Sequence, residues 1–347
     1  MSMTQNWSQT PMKICEFHIP IKNKYYLHMN NFFNSSVTRK VLLLFTLLTL
    51  LSCNNKKEEA PKKIAIVIST LNNPWFVVLG ESAAKRAKEL GYETTIFDSQ
   101  NNTSKEAEHF ENLIAAGYSA ILFNPTDSEG SISNVKRAKE AGIPTFSMDR
   151  EINSLDGPVS QVLSDNFSGC VELGEYFVKK LNKKGKYVEL LGIVGDNNTW
   201  VRSKGFHSVV DHFPDLKMVS QQSADFDRSK AMEVLESIIQ SNPDIDAVFC
   251  GNDAMAMGAY QALVSARKEK QVMVFGFDGS DDVMNAIADK KILATVRQSP
   301  VQIAITAADL ADQYLKGKKD LNKKTPLSVS LVTQENIGEF GTYGSRK

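Results

Sequence analysis

At 347 residues the chain has room for two domains, and 42% hydrophobic residues is the make-up of an ordinary globular protein. Forty basic residues stand against 40 acidic ones, so the formal net charge of zero removes the electrostatic case for nucleic acid or a membrane surface as partner. Partner choice has to come from a site.

The first sixty residues differ from the rest. Arg39 and Lys40 lead into VLLLFTLLTLLSC, whose apolar run from Val41 to Leu51 has the length of a signal-peptide core and is too short to span a bilayer alone. Leu50-Leu51-Ser52-Cys53 resembles the lipobox of bacterial lipoproteins, which implies that Cys53 carries a lipid and becomes the mature first residue. Residues 1 to about 28, without periodicity and followed by Met29, read as an upstream extension. Residues 1–52 are thus extension plus lipoprotein signal peptide. Residues 53–62, the cysteine and NNKKEEAPK, read as the lipidated end and a charged tether. The expected location is the bacterial cell envelope, in the periplasm or on the outer face of the membrane. Of the other cysteines, Cys15 lies in the removed part, while Cys170 and Cys250 have no metal-ligand spacing and are expected to be small buried apolar residues.

From Lys63 onward short apolar runs alternate with amphipathic segments. Strands are predicted at 64–68, 94–97, 120–123, 145–148 and 159–163, with helices between them, such as the one carrying Val77, Leu79, Ala83, Ala84, Ala87 and Leu90 and ending at Gly91. The beat then restarts. Helices are predicted at 167–181, 199–212, 228–241, 253–266 and 280–289, and strands at 187–191, 217–221, 246–250, 272–276 and 293–296. A last helix (about 301–315) and a terminal strand (about 328–332) follow, joined by a basic, solvated connection from Lys316 to Lys324. Strand, helix, strand at this spacing means parallel sheet, and two sets of domain size predict an α/β protein of two similar doubly wound lobes.

The chain is organised around Ser69 to Phe76, STLNNPWF, where the first strand hands over to a helix. Ligands in open α/β sheets sit at such carboxyl ends. Two amides and two aromatic rings within five residues suit a sugar, with its hydroxyls and apolar faces, although an Asn-Pro turn with a hydrophobic staple would use the same residues. The other strand ends carry matching chemistry: Asn124, then Asp149 and Arg150, then Arg202, Phe226, Asn252, Asp278 and Gln298. Two carboxylates, two guanidiniums and several amides can satisfy a ring of hydroxyls while Trp75, Phe76 and Phe226 cover its C–H faces. Singly, Asp278 could be a turn acid, Arg202 a surface charge and Asn252 a helix cap.

The segments IAIVISTLNNPWF, GYETTIFDSQNN, ILFNPTDS, MDR, SADFDR, GNDAMAMGA and VFGFDG resemble the ribose-binding protein family of bacterial ABC uptake systems, from Lys63 to about Thr333. The resemblance implies the two-lobed periplasmic binding protein-like I fold with three crossings near residues 163, 298 and 328. Its lobes would be 63–163 with 299–328, and 164–298 with 329–347. It implies ligand-binding roles for Asn73, Trp75, Phe76, Asn124, Asp149, Arg150, Arg202, Phe226, Asn252, Asp278 and Gln298. It departs from the family at Trp75, where the ribose binder has phenylalanine, which bears on the identity of the sugar. D-ribose is the first expectation, with allose, fructose and galactose as alternatives. An ABC permease with its ATPase is the implied partner of a monomeric carrier, and no metal or organic cofactor is implied.

Three other functions share parts of this pattern. A glycosidase could use Asp149 and Asp278, but arginine and amide neighbours are expected to keep both ionised. His109, His207 and His212 fall in polar helical patterns and are expected at the surface, and no GxSxG, GxxxxGK[ST] or HExxH motif occurs. A transcription regulator with the same sensor would need a helix-turn-helix where this chain has an export segment. A lipoprotein presenting sugar to a membrane sensor or chemoreceptor would share every feature of the carrier.

Overall fold

The computed structural model describes residues 62–341. The signal, lipobox and tether readings therefore lie outside the described residues. Twelve strands in the described part form two six-stranded sheets.

The first sheet is built from β1 (Lys63–Ile68), β2 (Glu93–Asp98), β3 (Ala120–Phe123), β4 (Thr145–Met148) and β5 (Ser160–Ser164), with α1 (Pro74–Glu89), α2 (Thr103–Ala115) and α3 (Ile132–Glu140) between them. Ile64 through Ile68 are all at 0% exposure, because a central parallel strand is covered on both faces and so reads as an unbroken apolar run. The second lobe follows the same plan. It comprises α4 (Asn166–Lys180), β6 (Gly185–Leu191), α5 (Asn197–Val210), β7 (Leu216–Ser223), α6 (Arg228–Ser241), β8 (Ala247–Cys250), α7 (Asp253–Ser265), β9 (Met273–Asp278), α8 (Asp281–Ala288) and β10 (Ala294–Arg297). The chain then returns through α9 (Pro300–Leu315), β11 (Lys324–Leu327) and β12 (Ser330–Thr333).

Sheet order is β11-β5-β4-β3-β1-β2 in one lobe and β12-β10-β9-β8-β6-β7 in the other. Every pairing is parallel except β12 with β10. The chain passes between the sheets three times: after Ser164, after Arg297 and after Leu327. The third pass separates two short strands where sequence suggested one, and β11 starts inside the stretch expected to be a solvated connection. Its sequence KTPL carries a proline and no alternation, which a parallel edge strand beside β5 tolerates because one row of its backbone groups needs no partner. Helix α9 returns to the first lobe, where Ile303, Ala304, Ala307, Ala308 and Ala311 pack with Leu79, Ala83 and Ala87 of α1.

Helix starts repeat one device at these strand ends. Asn73, Asn102, Asp165, Asp196, Asp227, Asn252 and Ser299 each accept a hydrogen bond from a first-turn amide. Helix α5 accordingly begins at Asn197, two residues before the expected start, because Asp196 caps it. Cys170 and Cys250 are both buried free thiols. Only His212 of the three histidines is fully exposed. His109 and His207 are half-buried, the latter held by Glu189 at 2.9 Å and Asp211 at 2.7 Å, which hold its imidazolium up to a pKa of about 9.

Candidate functional site

At the carboxyl ends of the strands, residues from both lobes enclose one nearly filled cavity of about 20 Å³. That is room for about one water molecule, so anything larger requires the lining of the two lobes to move apart. Its lining includes ten of the eleven predicted residues: Asn73, Trp75, Phe76, Asp149, Arg150, Arg202, Phe226, Asn252, Asp278 and Gln298. The cavity shares Asn73, Phe76, Arg150, Phe226 and Asp278 with a wider cleft between the lobes.

On the first lobe, Asn73 Oδ1 accepts from Trp75 N at 3.0 Å, so the helix cap occupies its acceptor and leaves the amide donors for other use. Trp75 and Phe76 meet edge to face at 5.4 Å, and the Arg150 guanidinium lies over Phe76 at 5.0 Å. Arg150 Nη1 donates to Pro125 O at 3.2 Å, while its Nε sits 2.6 Å from Asp196 Oδ2 of the second lobe in a fully buried ion pair. Asn124 is the predicted residue that does not line the cavity. It stands behind Asp149, donating to Met148 O at 2.9 Å and towards Asp149 Oδ2 at 3.4 Å, and it accepts from the Ser69 hydroxyl.

On the second lobe, the Arg202 guanidinium stacks 3.7 Å above Phe277, donates from Nε to Asn166 Oδ1 and from Nη1 to Gly251 O, both at 2.8 Å, and approaches Asp278 Oδ1 at 3.5 Å. Gln298 Nε2 donates to the same Asp278 oxygen at 2.9 Å, and its own Oε1 accepts from Ser164 at 2.6 Å. Asn252 caps α7 through Oδ1 and donates to Phe226 O at 3.4 Å. The Phe226 ring reaches the cavity across Gly192, where a Cβ would lie 2.0 Å from the ring.

Three lining residues hold backbone that side chains rarely adopt: Asp149 at φ 67°, Phe226 at φ 58° and Asp278 at φ 127°. Each such conformation costs of order 1 to 3 kcal/mol and persists where surrounding packing imposes it, commonly at binding sites. Two buried polar atoms on lining residues, Trp75 Nε1 and Asp149 Oδ1, have no protein partner. An orphaned buried donor or acceptor costs about 1 to 3 kcal/mol.

A family model for the periplasmic binding protein domain matches residues 64–319. The chain belongs to the periplasmic binding protein family. Among similar members is the D-apiose import binding protein of Paraburkholderia graminis, 43% identical over 288 residues, covering 83% of this chain and 92% of that one. The ribose import binding protein of Salmonella typhimurium is 41% identical, covering 80% and 92%. A solved periplasmic binding protein of an arabinose ABC transporter from Shewanella sp. ANA-3, bound to L-arabinofuranose, superposes with a TM-score of 0.76 at 29% identity, covering 80% and 93%.

In this periplasmic binding protein the arginine and amide neighbours expected beside the two carboxyls are present and lower both groups, but burial acts against them. Burial outweighs Arg202 and Arg150, pushing Asp149 up to about 7, and outweighs Arg202 and the Gln298 amide, pushing Asp278 up to about 6. Asp253, buried behind Asp278 and accepting from Thr295 and Ser280, is also raised, by burial first and by the Asp278 charge second. Two lining residues, Asp196 and Asn198, escaped the sequence reading. Their signal was available in GDNN directly after β6, a cap motif at a strand's carboxyl end. Among the described residues no group of three or more His, Cys, Asp or Glu could hold a metal ion, and no helix is long and apolar enough to cross a membrane.

Proposed function

We propose that this chain is an exported lipoprotein, anchored through Cys53, that captures a monosaccharide between its lobes and delivers it to an ABC permease driven by its ATPase. The lobes, 63–163 with 299–328 and 164–298 with 329–347, close on the sugar about the three crossings. Asn73, Asp149, Arg150, Arg202, Asn252, Asp278 and Gln298 bind the hydroxyls, Trp75, Phe76 and Phe226 cover the ring, and Asn124 holds Asp149. The observation that carries the reading is the convergence of ten residues from distant parts of the chain on one cavity whose lining keeps an unpartnered donor and an unpartnered acceptor.

The sugar is a pentose. Relatives named as D-apiose and ribose import binding proteins support this class. Trp75 adds a donor that phenylalanine lacks, so a sugar with an acceptor at that edge is favoured. Thermal melting of residues 60–347, one compact unit, against a monosaccharide panel tests the reading. A ligand at 100 times its Kd adds about 2.7 kcal/mol, and a flat response to D-ribose, D-apiose and the hexoses rejects it. Anchoring is tested separately, by whether Cys53→Ser moves the protein from the membrane to the soluble fraction. Stimulation of the neighbouring permease's ATPase by the sugar-loaded protein tests delivery.

A further inference from the structure

The two lobes also touch away from the cavity. Ser128 N donates to Gly195 O at 2.9 Å, Asn197 N donates to Ser128 Oγ at 3.1 Å, and Asn197 Nδ2 donates to Asn153 Oδ1 at 2.7 Å. None of Ser128, Asn153, Gly195 and Asn197 lines the cavity or the wider cleft. Both halves are fixed within their own lobe. On the first, Ser128 O accepts from Asn153 N at 2.9 Å, and Asp127 Oδ1 accepts from the amides of Glu129 and Gly130. On the second, Ile193 O accepts from Asp196 N and Thr199 Oγ1, and Val194 O accepts from Trp200 Nε1 at 2.9 Å.

The approach is close. A Cβ at Gly195 would lie 2.0 Å from Asp127 Oδ2 across the lobe boundary, so a side chain there has to displace a carboxylate whose other oxygen is held by two amides. One turn further in, the same segment joins the ligand machinery. Asn198 Nδ2 donates to Asp149 O at 3.3 Å, Asn198 Oδ1 accepts from Asn166 Nδ2 at 3.1 Å, and Asn166 Oδ1 accepts from Arg202 Nε. An unbroken run of hydrogen bonds thus links Arg202 of one lobe to Asp149 of the other.

We propose that Ser128, Asn153, Gly195 and Asn197 form a clasp that sets sugar affinity without touching the sugar, because its hydrogen bonds exist only when the lobes are together. These are positioning residues, and the readout by sugar binding rests on the carrier function proposed above. A contact made only in the closed arrangement adds its free energy to every ligand that needs closure, so its loss weakens all sugars equally and shows in the off-rate.

The experiment measures Kd and dissociation rate for each bound sugar of the panel with wild type, Asn197→Ala and Gly195→Ala, together with the melting temperature of each sugar-free protein. Asn197→Ala removes one hydrogen bond and should raise Kd about fivefold. Gly195→Ala, which either pushes the Asp127 carboxylate off its amide partners or holds the rim apart, should raise it by about tenfold. Each variant's factor should be the same for every sugar, carried by faster dissociation, with a cooperative sugar-free melt showing that each variant folds. Unchanged Kd in both variants overturns the clasp, and so do factors that differ between sugars, since they would mean direct contact. If wild type binds no sugar at all, the carrier reading fails on its own. The clasp is then judged by small-angle scattering in sugar-free solution, where Gly195→Ala should enlarge the radius of gyration and equal radii overturn it.

Discussion

Asp278 Oδ1 accepts from Gln298 Nε2 at 2.9 Å and faces Arg202 Nη1 at 3.5 Å, so one carboxylate oxygen ties the end of β9 to the crossing that follows β10. Gln298 in turn accepts from Ser164 on the first crossing, which places two of the three passes in a single hydrogen-bonded unit with a cavity-lining acid. Asp278→Ala should lose on the order of 2 to 4 kcal/mol of sugar binding by calorimetry, because truncation strands Arg202 and Gln298 in a buried site. Near-native affinity in that variant would remove Asp278 from the ligand set.

Acidity should act on binding and on stability in opposite senses. Asp149 and Asp278, raised to about 7 and about 6 in the folded protein from an ordinary 3.8, bind protons more tightly folded than unfolded. Their contribution to stability is therefore full below about pH 4 and is lost as pH rises through 6 to 7. Between pH 8 and pH 5 these groups raise the melting temperature of the sugar-free protein. Over the same range sugar affinity falls, because a protonated carboxyl is a weaker acceptor for hydroxyls. Asp149→Asn should flatten both trends, and parallel trends in wild type would contradict the assignment.

Trp75 carries the departure from the ribose-binder pattern, and its Nε1 is buried without a protein partner. Trp75→Phe keeps a ring and removes that donor. The sugar-free protein should gain stability, by at most about 1 kcal/mol once the smaller ring's lost packing is set against the removed orphan. Affinity for the preferred sugar should drop by about tenfold relative to sugars lacking an acceptor at that edge. Denaturant titration and a selectivity ratio read the two effects separately, and an unaltered ratio would exclude the indole N–H from recognition.

Gly192 is required by the Phe226 ring, which lies 2.0 Å from where a Cβ would stand. Gly192→Ala should displace the ring and weaken sugar binding by about 1 to 3 kcal/mol, the usual penalty of overpacking a fitted site. Phe226→Leu in the same background should recover part of that loss if the clash is the cause. No recovery would place the effect in the backbone.

Phe206 supplies a control remote from the ligand. It stacks on Phe249 at 4.2 Å and meets Phe177 edge to face at 4.9 Å in the core of the second lobe. Phe206→Ala should cost about 3 to 5 kcal/mol of stability by denaturant unfolding while leaving sugar selectivity ratios unchanged. A change in those ratios would show that the core shapes the site directly.

Sequence alone determined the alternation of buried strands and amphipathic helices, and with it the doubly wound lobes, because burial on both faces writes itself into runs such as IAIVI without help from distant residues. It also placed polar and aromatic residues at strand ends, since caps and turns are local. Only the tertiary structure decided which of them share a cavity. Asn124, one residue past β3 and equal in chemistry to Asn73, ends up behind Asp149, while Asp196 and Asn198, legible merely as a helix cap, reach the lining. The titration of Asp149 and Asp278 was likewise undecidable from neighbours in the chain. Arginines were foreseen beside both carboxyls, but the desolvation that outweighs them arises when two lobes exclude water together, and sequence distance carries no measure of that.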